Sequence, residues 1–202
     1  MIINVGRQLG SGGRIIGRRL AEIFGCHFCD RELLNLAAKE SGFSEKIFEM
    51  SDEHKRFFGR IFNLHSSHIS GNFYANKLSQ ESLFKFQSDA IRKAAEEGPC
   101  VFVGRCADYV LRDRKDMVNI FITADMEDRI RLTCERDKCT EEAARKFIAH
   151  IDSSRASYYN YYTGKRWGHS ASYDLCINSS ILGIEGTVDY LTEFVKLKLK
   201  IQ

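Results

Sequence analysis

The first thirty residues contain a glycine-rich turn whose composition suits the binding of phosphate. An apolar run over residues 2–5 precedes the turn, and Arg14 and a helical spacing of apolar residues follow it. The turn itself carries four small residues in succession: Gly10, Ser11, Gly12 and Gly13. Glycines let several backbone N–H groups converge, and the positive end of the following helix dipole adds to the attraction for an anion. The order of strand, turn and helix therefore predicts a phosphate cradle, with a glycine turn that holds no ligand as the alternative.

The turn departs from the strict phosphate-loop pattern G-x-x-x-x-G-K-[ST]. When Gly12 is aligned with the second glycine of the pattern, Arg7 takes the place of the first. Gly13 then stands where the lysine belongs, and Arg14 stands where the hydroxyl residue belongs. The spacing indicates a phosphate site whose lysine charge must come from another residue, with Arg14 and Arg7 as the candidates.

The composition of the whole chain is that of an ordinary globular protein. Its 202 residues are 44% hydrophobic and 28% charged, which suffices for one α/β domain with a substantial core. The net charge of +3 is too small to predict a nucleic-acid partner. Because no apolar run is as long as a membrane span and no signal-peptide pattern opens the chain, we expect a cytoplasmic protein without a membrane partner. A homodimer is left open.

The chain has seven cysteines, which require an interpretation. Cys26 and Cys29 have the C-x-x-C spacing of zinc and redox sites, but no second pair lies at the spacing of a metal site. Cysteines within apolar runs behave as small hydrophobic residues, and an odd count argues against a framework of disulfides. We therefore expect buried, reduced thiols.

Short apolar runs alternate with helical patterns along the chain, which predicts a parallel α/β sheet covered on both faces. The predicted strands cover residues 2–5, 26–29, 100–103, 118–123 and 174–177. With the glycine-rich turn after the first strand, a three-layer phosphate-loop architecture is the leading hypothesis. We expect one domain over 1–202, with a long helix from Ser79 to a stop at Gly98. Gly183 is expected to lead into a C-terminal amphipathic helix that runs through Leu199. Residues 43–78 are predicted to form a mobile acceptor-side insertion, and residues 136–172 a mobile helical lid. For residues 54–78 a dimer surface and an irregular helix-loop are the alternatives.

Polar residues follow the predicted strands, where the ligands of open α/β sheets bind. Asp30 and Arg31 follow the second strand, and Gly104 and Arg105 follow the third. Arginine suits phosphate oxygens because its planar guanidinium donates two parallel hydrogen bonds. Asp30 could accept from a nucleoside, help to hold a metal through water, or cap the next helix; for Arg105 the alternative is a surface ion pair. Asp125, after the fourth strand, is expected to cap a helix.

A second group of charged and aromatic residues begins shortly before the predicted lid and continues within it. An arginine-bearing lid that closes over a nucleotide supplies positive charge to the transferred phosphoryl group and excludes water. A solvated helix face is the alternative, and we expect it to account for Arg129 or Arg131 and for at least half of the group. The group consists of Arg129, Arg131, Arg136, Arg145, Asp152, Arg155, Tyr158, Tyr159, Tyr161, Tyr162, Lys165 and Arg166.

Four stretches of the chain together resemble the cytidylate kinase-like family, a bacterial branch of the nucleoside monophosphate kinases. They are GRQLGSGGRIIGRRLAE from Gly6, DREL from Asp30, VGRCADY from Val103 and YDLCINSS from Tyr173. The resemblance spans nearly the whole chain and is weakest over residues 43–98. It implies a phosphate-loop fold with a five-stranded parallel sheet, ATP bound together with magnesium, and phosphorylation of CMP or dCMP.

The resemblance also implies roles for single residues. The expected site for ATP and its phosphates comprises Arg7, Gly10, Ser11, Gly12, Gly13 and Arg14. The expected acceptor site comprises Asp30, Arg31 and Arg105. In the lid, Asp152 and Arg155 reproduce the family's Asp-x-x-Arg-Ala motif, and together with Arg14 they form the expected catalytic set.

Two departures from the family bear on mechanism. The aspartate of the family's Gly-Arg-Asp is Cys106 here. The family's own loop ends in G-x-G-K-G-T rather than in the strict pattern, and in that alignment Ile15 stands where the hydroxyl that normally binds magnesium belongs. The metal ligands are therefore left open, with Ser11 and Asp30 as candidates. We expect ATP-dependent phosphoryl transfer to a nucleoside monophosphate or a related small acceptor. The alternatives are a nucleotide- or phosphate-binding protein with altered catalysis and an oligomeric interaction protein.

Overall fold

The structure, a computed structural model, describes residues 1–30 and 73–201 of the chain. Several sequence-based expectations lie outside the described residues. These are the acceptor-site residue Arg31, the helix that Asp30 was considered to cap, and residues 43–72 of the predicted insertion. The rest of the candidate site falls within the described part.

The chain divides into two compact units, one formed by residues 1–31 and 91–202 and the other by residues 32–90. The first unit contains a five-stranded sheet in which every pairing is parallel. The strands are β1 (Ile2–Arg7), β2 (His27–Cys29), β3 (Cys100–Val103), β4 (Met117–Thr123) and β5 (Leu175–Asn178). Their order across the sheet is β2-β3-β1-β4-β5, so that β1 lies at the centre between β3 and β4. The predicted α/β class and all five predicted strands are confirmed, each boundary to within two residues.

Helices connect the strands, as the right-handed crossovers of a parallel sheet require. The described helices are α1 (Gly13–Phe24), α2 (Phe73–Glu97), α3 (Ala107–Val110), α4 (Met126–Asp137), α5 (Glu141–Thr163) and α6 (Ser179–Leu199). A short 3₁₀ turn, Ser170–Ser172, precedes β5. No described helix is long and apolar enough to cross a membrane.

Two helix boundaries differ from the sequence-based prediction. Helix α2 begins at Phe73 rather than Ser79, so that the last six residues of the predicted insertion are helical. Helix α6 begins at Ser179, directly after β5, because the side chain of Asn178 accepts a hydrogen bond from the N–H of Ser180 and caps the first turn. Gly183, where the helix was predicted to start, is instead a kink inside α6 with a positive φ of 67°.

The central strands are mostly apolar because both faces of the sheet are covered. Ile3 and Val5 of β1 share one buried cluster with Ile16 and Leu20 of α1 and with Leu191 of α6. Burial of such side chains is the main stabilising contribution to a fold of this kind, at about 25 cal/mol per Å² of apolar surface. The rigid sheet places the polar residues after its strands along one edge.

Candidate functional site

The candidate site lies at the edge of the sheet where the carboxyl ends of the strands meet. The loop after β1, Asp30 after β2, and Gly104 with Arg105 after β3 all stand at this edge. Parallel strands direct their carboxyl ends to one side, and ligands of such sheets bind there. The predicted placement of the site residues after the strands therefore agrees with the structure.

The loop between β1 and α1 has the backbone conformation of an anion-binding turn. Gly10 and Gly12 both have left-handed φ angles, 78° and 71°. Among the described residues, none accepts a hydrogen bond from the backbone N–H of Ser11, Gly12 or Gly13. These N–H groups lead into the first turn of α1, where the helix dipole is positive. The loop can therefore donate several hydrogen bonds to phosphate oxygens.

Helix α4 packs directly against this loop. A Cβ atom on Gly10 would lie 2.5 Å from the backbone carbonyl oxygen of Arg129, which leaves no room for a side chain. On the other side of the loop, the hydroxyl of Ser11 donates to the carbonyl of Gln8 at 3.0 Å, and Ser179 Oγ donates to the carbonyl of Ser11 at 2.8 Å. The glycine content of the loop thus serves close packing as well as the left-handed turns.

A buried ion pair behind the loop holds Leu9 by both of its main-chain groups. The carboxylate of Asp152 on α5 accepts from the Leu9 N–H at 2.8 Å, and Arg129 Nε on α4 donates to the Leu9 carbonyl at 2.7 Å. Arg129 Nη2 also donates to Asp152 Oδ2. The two side chains are only 5% and 15% exposed. The backbone of Leu9 is therefore held by one side chain from α4 and one from α5.

Arg7 and Arg155 lie beside the loop, at the end of β1. Arg155 Nη1, one turn along α5 from Asp152, donates to the carbonyl of Arg7 at 3.3 Å. The side chain of Arg7 covers Gly13, where a Cβ would lie 2.5 Å from the Arg7 Cβ, and its guanidinium fills the space in which a Cβ on Gly104 would lie. Arg7 consequently links the glycine-rich loop with the turn after β3.

Arg14 and Asp30 form a second ion pair at the mouth of the loop. Arg14 Nη2 and Nε donate to the same oxygen, Asp30 Oδ2, at 2.5 and 2.9 Å. The arginine side chain is 53% exposed, whereas that of the aspartate is 11% exposed. The pair joins a residue of the expected phosphate site to a residue of the expected acceptor site.

The turn after β3 is strained. Gly104, Arg105 and Cys106 are three successive residues with positive φ, and the two without glycine's freedom have φ of 62° and 57°. Such conformations cost roughly 1–3 kcal/mol each and cluster at functional sites. The turn places the Arg105 guanidinium 5.5 Å from the centre of the Tyr158 ring on α5. Burial raises the pKa of Tyr158, and the adjacent Arg105 opposes that rise.

A cavity of about 390 Å³ opens on the other side of the loop, between α4 and the start of α6. Ser11, Arg131, Ser180, Ile184 and Glu185 contribute to its wall. The wall mixes an apolar surface with hydroxyl groups and charges of both signs, which is the usual character of a site for a small organic molecule.

The described residues do not form a prebuilt magnesium site. No described group of three or more histidine, cysteine, aspartate or glutamate side chains could hold a metal ion. Ile15 is 51% exposed where the loop hydroxyl would stand, and the hydroxyl of Ser11 is turned to the Gln8 carbonyl. Asp30 is engaged with Arg14. The donor set expected for magnesium therefore does not fit this part of the chain.

The cysteines are free thiols, as expected, but only Cys29, Cys100 and Cys106 are fully buried. Burial raises the pKa of Cys106 to about 12 and that of Cys26 to about 11, so both remain protonated at neutral pH. Neither thiol is poised for nucleophilic chemistry.

Two residues behave differently from their sequence-based interpretation. Asp125 precedes α4, but its carboxylate accepts from Asn178 Nδ2 at 2.8 Å instead of capping the helix. Arg129, for which a solvated position was considered, is 4% exposed, while Arg131 lies on the solvated face with 59% of its side chain exposed. Nothing in the local sequence separates the two arginines, because acidic residues surround both.

A five-stranded parallel sheet with a glycine-rich loop between its central strand and the next helix defines a phosphate-loop NTPase-like fold of the kinase type. The sequence matches the cytidylate kinase-like family over residues 2–181. The chain belongs to this family, and the family and fold together indicate an enzyme of kinase type that carries out nucleotide-related phosphoryl transfer.

Solved structures agree with this assignment of the fold. An uncharacterized protein from Eubacterium ventriosum ATCC 27560 is 26% identical, with a TM-score of 0.75 over 97% of this chain and 98% of that one. Shikimate kinase from Bacteroides thetaiotaomicron is 14% identical, with a TM-score of 0.53 over 97% of this chain and 98% of its own. No match is found among curated protein sequences.

Proposed function

We propose that this protein transfers a phosphoryl group from ATP to a nucleoside monophosphate, CMP or dCMP in the first instance, or to a related small acceptor. One observation carries the proposal: four arginines from separate elements stand at one edge of the sheet. Arg7, Arg14 and Arg155 lie beside the glycine-rich loop, and Arg105 lies in the turn after β3 that Arg7 contacts. Phosphoryl transfer needs positive charge around the equatorial oxygens of the transferred group, and little covalent chemistry from the protein.

The donor phosphates would lie on the loop. The N–H groups of Ser11, Gly12 and Gly13 would donate to their oxygens, and Arg7 and Arg14 would supply the charge of the missing lysine. The cavity beside Ser11 has the size and mixed lining to take the donor nucleoside. Magnesium would arrive on the ATP phosphates, because Mg²⁺ commonly keeps several waters and uses substrate phosphates as ligands. We assign it no protein ligand.

The acceptor would lie between β2 and β3. Arg105, presented by the strained turn, would bind the acceptor phosphate, and Asp30 would accept from the sugar or the base. The family resemblance also assigns Arg31, which lies outside the described residues, to the acceptor site. A phosphate acceptor is already nucleophilic at neutral pH, so no general base is required. Arg14 and Arg155 would offset the charge that spreads over the transferred group in the transition state.

A second candidate function is nucleotide or phosphate binding with altered catalysis. The exchange of the loop lysine and hydroxyl for Gly13 and Ile15 favours it, as does the engagement of Arg14 with Asp30. This candidate retains the phosphate cradle and predicts saturable binding of ATP without product formation.

A coupled assay with Mg-ATP and CMP, dCMP, UMP, AMP and GMP separates the two candidates. The expected result is turnover with at least one acceptor, CMP or dCMP before the others. Binding of ATP without product from any acceptor supports the second candidate. If neither ATP, CMP nor inorganic phosphate at millimolar concentration raises the unfolding temperature, both candidates are wrong, because a ligand that binds the folded state must stabilise it.

A further inference from the structure

The buried pair of Arg129 and Asp152 has a geometry that points to the loop and away from the ligand. Oδ1 of Asp152 accepts from the Leu9 N–H, while its Oδ2 accepts from Arg129. Arg129 in turn donates to the Leu9 carbonyl. A residue whose N–H and carbonyl are both held by side chains cannot rotate its flanking peptide planes without breaking these bonds.

The residue held in this way stands directly before the first glycine of the loop. The Leu9 side chain is itself buried, and Gly10 follows against the carbonyl of Arg129. The three N–H groups from which no described residue accepts a hydrogen bond, those of Ser11, Gly12 and Gly13, come next in the chain. Their directions depend on the peptide planes before them, since two dihedral angles per residue determine the path of the loop.

We propose that Arg129 and Asp152 are positioning residues that hold the loop in its phosphate-binding conformation before the ligand arrives. This inference rests on the proposed function, and it assigns to Asp152 a role other than the direct catalytic one that the family resemblance implies. Preorganised donors bind an anion more tightly because no reorganisation is needed at the moment of binding. The pair acts through the backbone of Leu9.

The same arrangement connects the loop to the arginine expected in the transition state. Asp152 and Arg155 are three residues apart on α5, so they share one face of the helix. Asp152 bonds Leu9 and Arg155 bonds the carbonyl of Arg7, two residues earlier. Helix α5 therefore fixes the position of Arg155 relative to the loop. The Asp-x-x-Arg spacing is explained by these two bonds, from Asp152 to Leu9 and from Arg155 to Arg7.

We call the Arg129–Asp152 pair the clamp on Leu9. The decisive experiment removes this clamp while leaving no buried charge behind. In the double variant Arg129→Met/Asp152→Leu, apolar side chains of similar volume replace the pair, an exchange that buried ion pairs often tolerate without loss of stability. The control is Glu142→Gln/Lys146→Met, which removes a fully solvated ion pair from the same helix α5. Inorganic tripolyphosphate serves as the probe for the donor-phosphate site, with its dissociation constant measured by calorimetry.

We expect the double variant to fold with a lower urea unfolding midpoint, because the N–H and carbonyl of Leu9 lose their partners. It should bind tripolyphosphate at least about tenfold more weakly, with hydrogen exchange accelerated at the amides of residues 9–13 and unchanged in β1 and β4. The control variant should match the unmodified protein in all three measurements. A folded double variant that binds the probe normally, with unchanged exchange in the loop, overturns the inference.

Two further outcomes are informative. If the double variant does not fold, Asp152→Asn replaces it, because asparagine can still accept from the Leu9 N–H but presents an amide group to Arg129. It should weaken tripolyphosphate binding by about threefold or more, and unchanged binding then overturns the inference. If the unmodified protein binds neither tripolyphosphate nor ATP, the proposed function itself fails, and the inference fails with it for a different and recognisable reason.

Discussion

The two arginine–aspartate pairs that touch the loop differ mainly in the contact of their arginines with water. Arg129 and Asp152 lie behind the loop with side chains 5% and 15% exposed, whereas at its mouth Arg14 is 53% exposed and its partner Asp30 is 11% exposed. Removing one partner of a buried pair leaves an uncompensated charge in a poorly solvated place. The half-exposed guanidinium of Arg14 instead stays solvated when it leaves its carboxylate for a phosphate. We therefore propose that one kind of ion pair stabilises the framework behind the loop and that the other binds the ligand at its mouth.

The strongest test of this contrast is the single substitution Asp152→Leu. It leaves the guanidinium of Arg129 buried without its carboxylate, and we expect the free energy of unfolding to fall by about 3–5 kcal/mol. Urea denaturation followed by circular dichroism measures the change. The matched control is Glu142→Leu at an exposed position of the same helix, for which a change within about 0.5 kcal/mol is expected. A loss below about 1 kcal/mol for Asp152→Leu would show that the pair is not effectively desolvated.

Arg155 belongs to neither pair and tests whether α5 also contributes directly to the chemistry. For Arg155→Ala we expect turnover to fall by a factor on the order of 10²–10³, because one preorganised charge is lost from the transition state. The dissociation constant for ATP should change by less than about threefold if the guanidinium acts mainly on the transition state. Steady-state kinetics with the best acceptor and calorimetry with ATP give the two values. Equal losses in both, or none in either, contradict this role.

The close packing of Gly10 against α4 is the next test of the framework side. Gly10→Ala combines a positive φ with an overlap on the backbone of Arg129, and we expect a destabilisation of about 3 kcal/mol together with weaker tripolyphosphate binding. Gly25→Ala is the control, because Gly25 also has a positive φ but faces open space. That variant should lose only about 1 kcal/mol and bind the probe normally. Similar losses of stability in both would mean that the backbone angle alone matters.

The fold and the edge that carries the site could be predicted from the sequence, because they depend on local patterns. The apolar runs of β1 and β3, followed by glycines and by Arg105, are readable from spacing alone. The clamp on Leu9 could not be predicted from the spacing of residues in the sequence. Arg129 lies among acidic neighbours that suggest a solvated face, and only the packing of α4 against the loop, 120 residues away in sequence, shows that it is buried.

The smallest expected effect on stability concerns the pair of Arg14 and Asp30 at the mouth of the loop. Asp30→Asn should change the free energy of unfolding by no more than about 1 kcal/mol, since the guanidinium of Arg14 is half exposed to water. It should strengthen tripolyphosphate binding by a few fold, because a negative charge leaves the mouth of an anion site while the positive charge of Arg14 stays. Arg14→Ala should weaken the same binding, and calorimetry measures both changes. If Asp30→Asn weakened binding as much as Arg14→Ala does, the carboxylate would be holding Arg14 in place for the phosphate, and the pair at the mouth would belong to the framework after all.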